Sequence, residues 1–162
     1  MKKISSGLRN NNPLNIRRGK TPWKGEILPL RGNRPLAAER LGSASDGGQT
    51  GGSAFCQFET IEWGLRAAFV LLRTYSTKYR ANCVRDIVSR WAPPTENQTE
   101  QYIKNVCFWT GFGGLQRLTE SDWPALVRAM ARQECGALLD EETIQRGFDL
   151  YRKNLKTNQL KN

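Results

Sequence analysis

Histidine is absent from this 162-residue sequence. That removes Ser-His-Asp and Cys-His nucleophilic sites and the common histidine-based zinc sites. Any general acid or base must then be Glu, Asp, Lys, Tyr or Cys. Cysteine is sparse too: Cys56, Cys83, Cys107 and Cys135 stand far apart with no C-x-x-C pair. Neither zinc nor any other cofactor is expected from such spacing, and an even count alone does not establish disulfides. The four read as small buried hydrophobes in a reducing compartment.

Long apolar runs are missing, so no membrane span is expected. "MKKISSGLRNNN" has two lysines but no apolar run of a signal peptide behind them. The expectation is a protein made in the cytoplasm. If it acts outside, something other than its own N-terminus must release it.

Acids are the scarcer charge, 15 against 25 Lys and Arg, for a net +10. The excess is uneven. Met1 to Arg40 carries ten Lys/Arg against two acids, whereas Arg117 to Leu150 carries four against seven. A basic lobe beside an acidic helical segment points to a polyanionic partner: nucleic acid, an anionic cell wall or phospholipid headgroups. A merely solubilising surface is the plainer alternative.

The length suits one domain, 1–162, with a real core. Residues 1–58 read as an irregular, partly β lobe, because Pro13, Pro22, Pro29 and Pro35 interrupt it and Asn and Gly are frequent. "GSASDGGQTGGS" (Gly42 to Ser53) reads as a flexible loop, and "AFCQF" after it as a short extended piece. Residues 59–157 read as a helical lobe of five helices. Thr60 caps the first, with Ile61, Leu65, Ala68, Phe69, Leu72 and Tyr75 at helical spacing. Val84, Ile87, Val88 and Trp91 mark the second, stopped by Pro93-Pro94. Thr95 or Asn97 caps a third holding Tyr102, Ile103 and Val106 and closing near Gly111. Thr119 caps a fourth that Gly136 ends, and Asp140 a last one with Ile144, Phe148, Tyr151 and Leu155 on one face.

Three stretches can carry chemistry. In "WPALVRAMARQECG", Trp123, Val127 and Met130 lie on one helical stripe whose next position is Glu134. A carboxylate in apolar surroundings has a raised pKa and can hold a proton near neutral pH, as a general acid must. The same position also fits a Glu at the stripe's edge, its stem packed and its head in water or paired with Arg128. In "GLRNNNPLNIRRG", Asn10, Asn11, Asn12, Asn15 and the flanking Arg17 offer the donors and acceptors that a sugar's amides and hydroxyls require, with Trp23 adding a flat apolar face. A turn-rich segment in which Asn tolerates left-handed backbone reads equally well. In "RWAPPTENQTEQYIKNV", Tyr102 and Asn97 line a groove with Trp91 at its floor, or build a helix–turn–helix corner.

The blocks "RNNNPLNIR", "PWKG", "FCQFETIEWGLRAAFVLLRTY", "RWAPPTENQTEQYIKNV" and "MARQECG" together resemble a family of small phage and prophage proteins, often labelled phage structural protein. The N-terminal blocks are also similar to the stretch after the catalytic Glu in bacterial N-acetylglucosaminidases. "LVRAMARQECG" resembles the Glu helix of lytic transglycosylases and goose-type lysozymes, with Cys135 where Ser is usual, and "QYIKNV" resembles their cleft Tyr segment. In those enzymes the Glu helix comes first; here it comes near the C-terminus, as in a circular permutation. The resemblance implies a mainly α, lysozyme-like α+β domain.

It further implies a peptidoglycan glycosidase that cuts the β-1,4 bond between N-acetylmuramic acid and N-acetylglucosamine with Glu134 as general acid. A hydrolase wants a second carboxylate, for which Glu59 and Glu96 stand first, with Glu26 and Asp46 behind them. Asn11, Asn12, Asn15, Arg17, Trp23, Asn97 and Tyr102 would bind substrate. The partner would be the glycan strand, joined by an immunity, secretion or virion partner, and the wall would be reached by lysis, virion or secretion. The other expectation is a non-enzymatic virion or nucleic-acid-binding protein, using the same basic lobe on phosphates.

Overall fold

The computed structural model describes residues 4–28, 30–31, 34–35, 55–92 and 96–160. The Gly42 to Ser53 loop, the Pro93-Pro94 stop and the Thr95 cap expected from the sequence lie outside the described residues, as does Asp46. Helices run in the order α1 (Ser6–Arg9), α2 (Ile61–Tyr79), α3 (Val84–Trp91), α4 (Glu96–Thr110), α5 (Trp123–Cys135) and α6 (Glu141–Leu160). Strands are two residues each: β1 (Glu26–Ile27), β2 (Leu30–Arg31), β3 (Arg34–Pro35) and β4 (Gln57–Phe58). β1 pairs antiparallel with β4, and β2 with β3. Among the described residues the fold is therefore mainly α, with five α-helices from Ile61 onward and small β pairs before them.

Helix α2 is the spine. Thr60 Oγ1 accepts the Trp63 amide at 3.4 Å, filling one of the donors a helix start leaves open. Leu65, Ala67, Ala68, Phe69 and Leu72 behind it are buried. Helix α6 lies along α2 on its most extensive shared face. The two approach closely at Gly147, where a Cβ would stand 2.5 Å from that of Leu65. Phe69, Phe148 and Tyr151 seal the contact, with ring centroids 4.9 Å apart for Phe69–Phe148 and 5.8 Å for Phe148–Tyr151. Each fully buried side chain of this size contributes about 1.5–3 kcal/mol of transfer energy, so the apolar stripes hold the helices to one core.

The ends follow local chemistry with three departures from expectation. Gly111 (φ 79°) and Gly136 (φ 75°) terminate α4 and α5 in left-handed backbone, where glycine has no Cβ to clash. Thr119 caps a 3₁₀ turn over Glu120–Asp122 rather than α5 itself, its amide donating to Asp122 Oδ2 at 2.8 Å; α5 begins after that turn, with Pro124 in its first positions. Helix α6 continues to Leu160, past the expected boundary at 157. The N-terminal lobe also holds a helix the sequence reading left out, α1, whose start is capped by Ser5 Oγ accepting the Leu8 amide at 3.4 Å. Among the described residues no helix is long and apolar enough to cross a membrane.

Candidate active site

The loop after α1 uses its asparagines for three different tasks. Asn11 and Asn15 both have φ 52°, a left-handed conformation that Asn adopts more readily than most residues. Asn11 Nδ2 donates to the Phe58 carbonyl at 3.1 Å, and the Asn11 carbonyl sits against Gly64 of α2, where any Cβ would collide with it. Asn12 is wholly buried. Its Nδ2 donates to the carbonyls of Ile16 and Cys56, both at 2.9 Å, and its Oδ1 accepts the Ile16 amide at 2.9 Å. That amide is spent inside the protein, so Asn12 builds the loop and offers no ligand a contact. Asn15 is the outlier. Its Nδ2 reaches the last turn of α5 and donates to Glu134 Oε2 at 3.0 Å and to the Glu134 carbonyl at 3.2 Å.

Glu134 is half-buried, and burial pushes its carboxyl above the usual carboxylate range. The Asn15 bond, the Tyr102 hydroxyl and the positive charge of Arg17 each pull the other way, and burial outweighs them. Tyr102 of α4 is buried beside the carboxylate. Its hydroxyl has no partner at ideal hydrogen-bond geometry, and the group it interacts with is the Glu134 carboxyl. Burial first, then the charge of Glu134, drives the Tyr102 phenol far up, and it stays neutral. Arg128 bonds the Leu139 carbonyl at 2.7 Å and Glu141 at 3.5 Å, so it is not the partner of Glu134.

Glu134 and Tyr102 open onto a cavity of about 330 Å³ shared with Ala92, Gln98, Thr99, Gln101 and Gln133. The lining is rich in amides held in place. Gln101 Nε2 donates to Asn105 Oδ1 at 2.9 Å, and Asn105 Nδ2 donates to Gln133 Oε1 at 2.9 Å, tying α4 to α5 beside Glu134. Sequence reasoning passed over Gln101, Asn105 and Gln133. Their signal was the i, i+4 amide pair on α4, which reads equally as a solvated face. A cleft of about 620 Å³ on another face of α5 is larger, but the carboxyl with a raised pKa lies in the smaller one, and chemistry decides between them.

The other expected residues are scattered. Arg17 is exposed, its guanidinium 4.9 Å over the Phe55 ring, and reaches Glu134 only through its charge. Trp23 packs partly against the core, and its amide donates to Glu26 Oε2 at 3.3 Å. Trp91 does not floor the cavity; its indole Nε1 donates to the Leu14 carbonyl at 3.2 Å. Glu59 is exposed and outside the cavity, its amide bonded to the Gly25 carbonyl at 2.9 Å. Glu96 and Asn97 stand in the first turn of α4, but their side chains lie outside those described. Among the described residues Glu134 is thus the one acid lining this cavity. The four cysteines are free thiols, three of them buried, and no described group of acids and cysteines is arranged to hold a metal ion.

No family model matches the chain. Protein P5 of Pseudoalteromonas phage PM2 is 36% identical to it over 149 residues, which cover 88% of this chain and 79% of P5. Identity at that level over nearly the whole chain means common descent, and the protein belongs to the phage family that includes P5.

Proposed function

We propose that the protein is a peptidoglycan-degrading glycosidase with a lysozyme-like domain in permuted order, and that Glu134 is its general acid. The observation that carries this is a half-buried carboxyl, its pKa raised by desolvation, fixed by Asn15 at the edge of an amide-lined cavity. Such a carboxyl keeps its proton to higher pH than an exposed one and can give it to the leaving oxygen of the β-1,4 bond. The amides of Gln98, Gln101 and Gln133 supply donors and acceptors of the kind N-acetyl and hydroxyl groups require. That Glu134, near the C-terminus, meets Asn15, near the N-terminus, is what permutation of a Glu-first domain calls for.

This reading has two branches, and in the transglycosylase branch Glu134 serves twice. Glu134, once deprotonated, takes the proton of the C6 hydroxyl, and the sugar closes to a 1,6-anhydro ring. The inverting and retaining hydrolases need a second carboxylate placed about 5–9.5 Å away. The basic N-terminal lobe, Arg17 included, would hold the enzyme on the anionic wall, and kinship with a phage protein supports delivery by virion or lysis. Incubation with purified peptidoglycan and mass spectrometry of the products tests this. Anhydro ends would assign the enzyme to the transglycosylases, reducing ends to the hydrolases, and intact glycan would refute the reading.

The second reading is a non-enzymatic virion or nucleic-acid-binding protein. Kinship with a phage protein and the net charge of +10 favour it. Retardation of DNA across a salt series, with no release from peptidoglycan, would put it first.

A further inference from the structure

Helix α5 has two working faces. Glu134 points to the Asn loop, whereas Ala125, Arg128, Ala129 and Arg132, three and four residues apart, lie on the opposite side. That second face forms one wall of the cleft of about 620 Å³, closed by the end of α4 and the start of α6. We propose that this cleft is a second ligand site, which takes a small molecule with a terminal carboxylate next to a compact apolar group.

Arg132 supplies the recognition. Its guanidinium carbon lies 4.3 Å from the centre of the Trp109 ring, a cation–π contact that holds it at this wall. Among the described residues no hydrogen bond or salt bridge takes up its donors. Arg128, one turn away, is instead committed to the Leu139 carbonyl at 2.7 Å and to Glu141 at 3.5 Å. A planar fork held in place with its donors open is matched to a carboxylate, which it can bind through two parallel bonds. The cleft's apolar lining includes Ala125, Ala129 and Ile144, which suits a methyl-sized group, and the Glu141 carboxylate that also lines it is paired with Arg128. The volume lies within the range of small-molecule sites.

Two sources share that chemistry: the C-terminus of a peptide ending in alanine, and the lactyl carboxylate of a sugar acid. The proposal stands whether or not Glu134 cleaves glycan, so the two can fail separately.

The test is calorimetric titration of the full chain with N-acetyl-D-alanyl-D-alanine, its C-terminal amide and N-acetylmuramic acid, with NMR of the tryptophan indoles. The expected result is binding of at least one acid that shifts the Trp109 indole, with the amide about tenfold weaker or worse than the peptide acid if that acid binds. Arg132→Gln should lose about tenfold as well. Ala125→Phe, at an exposed position that fills the cleft without touching the core, should abolish binding even if Arg132→Gln proves unstable. Tighter binding of the peptide acid assigns the site to peptide ends, and tighter binding of the muramic acid to sugar acids. No shift of Trp109 with either acid, equal affinity for the peptide acid and its amide, or wild-type affinity in Ala125→Phe would overturn the proposal.

Discussion

Asn15 Nδ2 donates to Glu134 Oε2 at 3.0 Å across 119 positions of sequence, and the same nitrogen bonds the Glu134 carbonyl at 3.2 Å. One amide thus fixes both the rotamer of the carboxyl and the end of its helix. Electrostatically it works against the burial that raises the carboxyl's pKa, because a donor favours the charged form. Removing the donor should therefore push Glu134 higher still. Asn15→Gly is the suitable variant, since φ 52° strains an alanine but not a glycine. The carboxyl resonance of Glu134, followed by NMR through a pH titration, should turn over at higher pH than in wild type. A midpoint unchanged or lower would contradict the balance described.

Tyr102→Phe should move the same midpoint in the same direction, because the hydroxyl also favours the charged form of Glu134. Its effect on stability should be small or favourable. Replacing the hydroxyl with hydrogen removes a desolvated group, and Glu134 keeps the Asn15 bond. Urea denaturation measures this, and a loss of more than about 1 kcal/mol would mean that the hydroxyl holds the fold.

Asn12 should behave in the opposite way. Its three hydrogen bonds are buried, and Asn12→Ala leaves the Ile16 amide and the Cys56 carbonyl to find new partners, while the Ile16 carbonyl keeps the Cys56 amide. At about 1–3 kcal/mol for each buried group left unsatisfied, the loss should be about 2 kcal/mol or more. A denaturation midpoint close to wild type would show that water replaces the side chain with little cost.

The contrast between Asn12 and Asn15 marks where sequence reading stopped. Both stand in one Asn-rich run, yet left-handed turns at Asn11 and Asn15 send one amide inward and the other across to α5. Backbone reversals of this kind depend on what the loop packs against, which spacing does not encode. Glu134 was legible because it interrupts an apolar stripe, the helix start after Thr60 because cap and periodicity agree, and the start at Glu141 because of periodicity. Thr119 misled because a 3₁₀ turn and an α-helix open with the same residues. The amide chain Gln101–Asn105–Gln133 was not legible, since polar residues on a helix usually face water.

Arg17 lies exposed outside the cavity and reaches Glu134 through charge alone. Arg17→Ala should weaken adsorption to anionic wall material at low salt and differ little from wild type at high salt, where screening removes the attraction. Turnover should persist in the variant. Sedimentation with cell walls at two salt concentrations checks it, and a salt-independent loss would assign Arg17 a direct contact instead.

Because burial raises the pKa of Glu134, the fold favours its neutral form. That contribution is fully present below the carboxyl's unfolded pKa and is lost as pH rises through the folded pKa. Glu134→Gln keeps the shape without the charge, so it should melt at or above wild type near neutral pH, and the advantage should vanish in acid. Thermal melts across pH decide this; a variant less stable at neutral pH would mean that the ionised carboxylate is favoured by its surroundings.

The most direct measurement is wall degradation by wild type and Glu134→Gln side by side, with folding of both verified. Loss of a general acid costs roughly 10²–10⁴-fold. The account predicts that wild type releases soluble fragments from purified peptidoglycan and that Glu134→Gln is slower by at least about a hundredfold. A Glu134→Gln protein that digests peptidoglycan at the wild-type rate, or a wild type inert on every wall substrate, would contradict it.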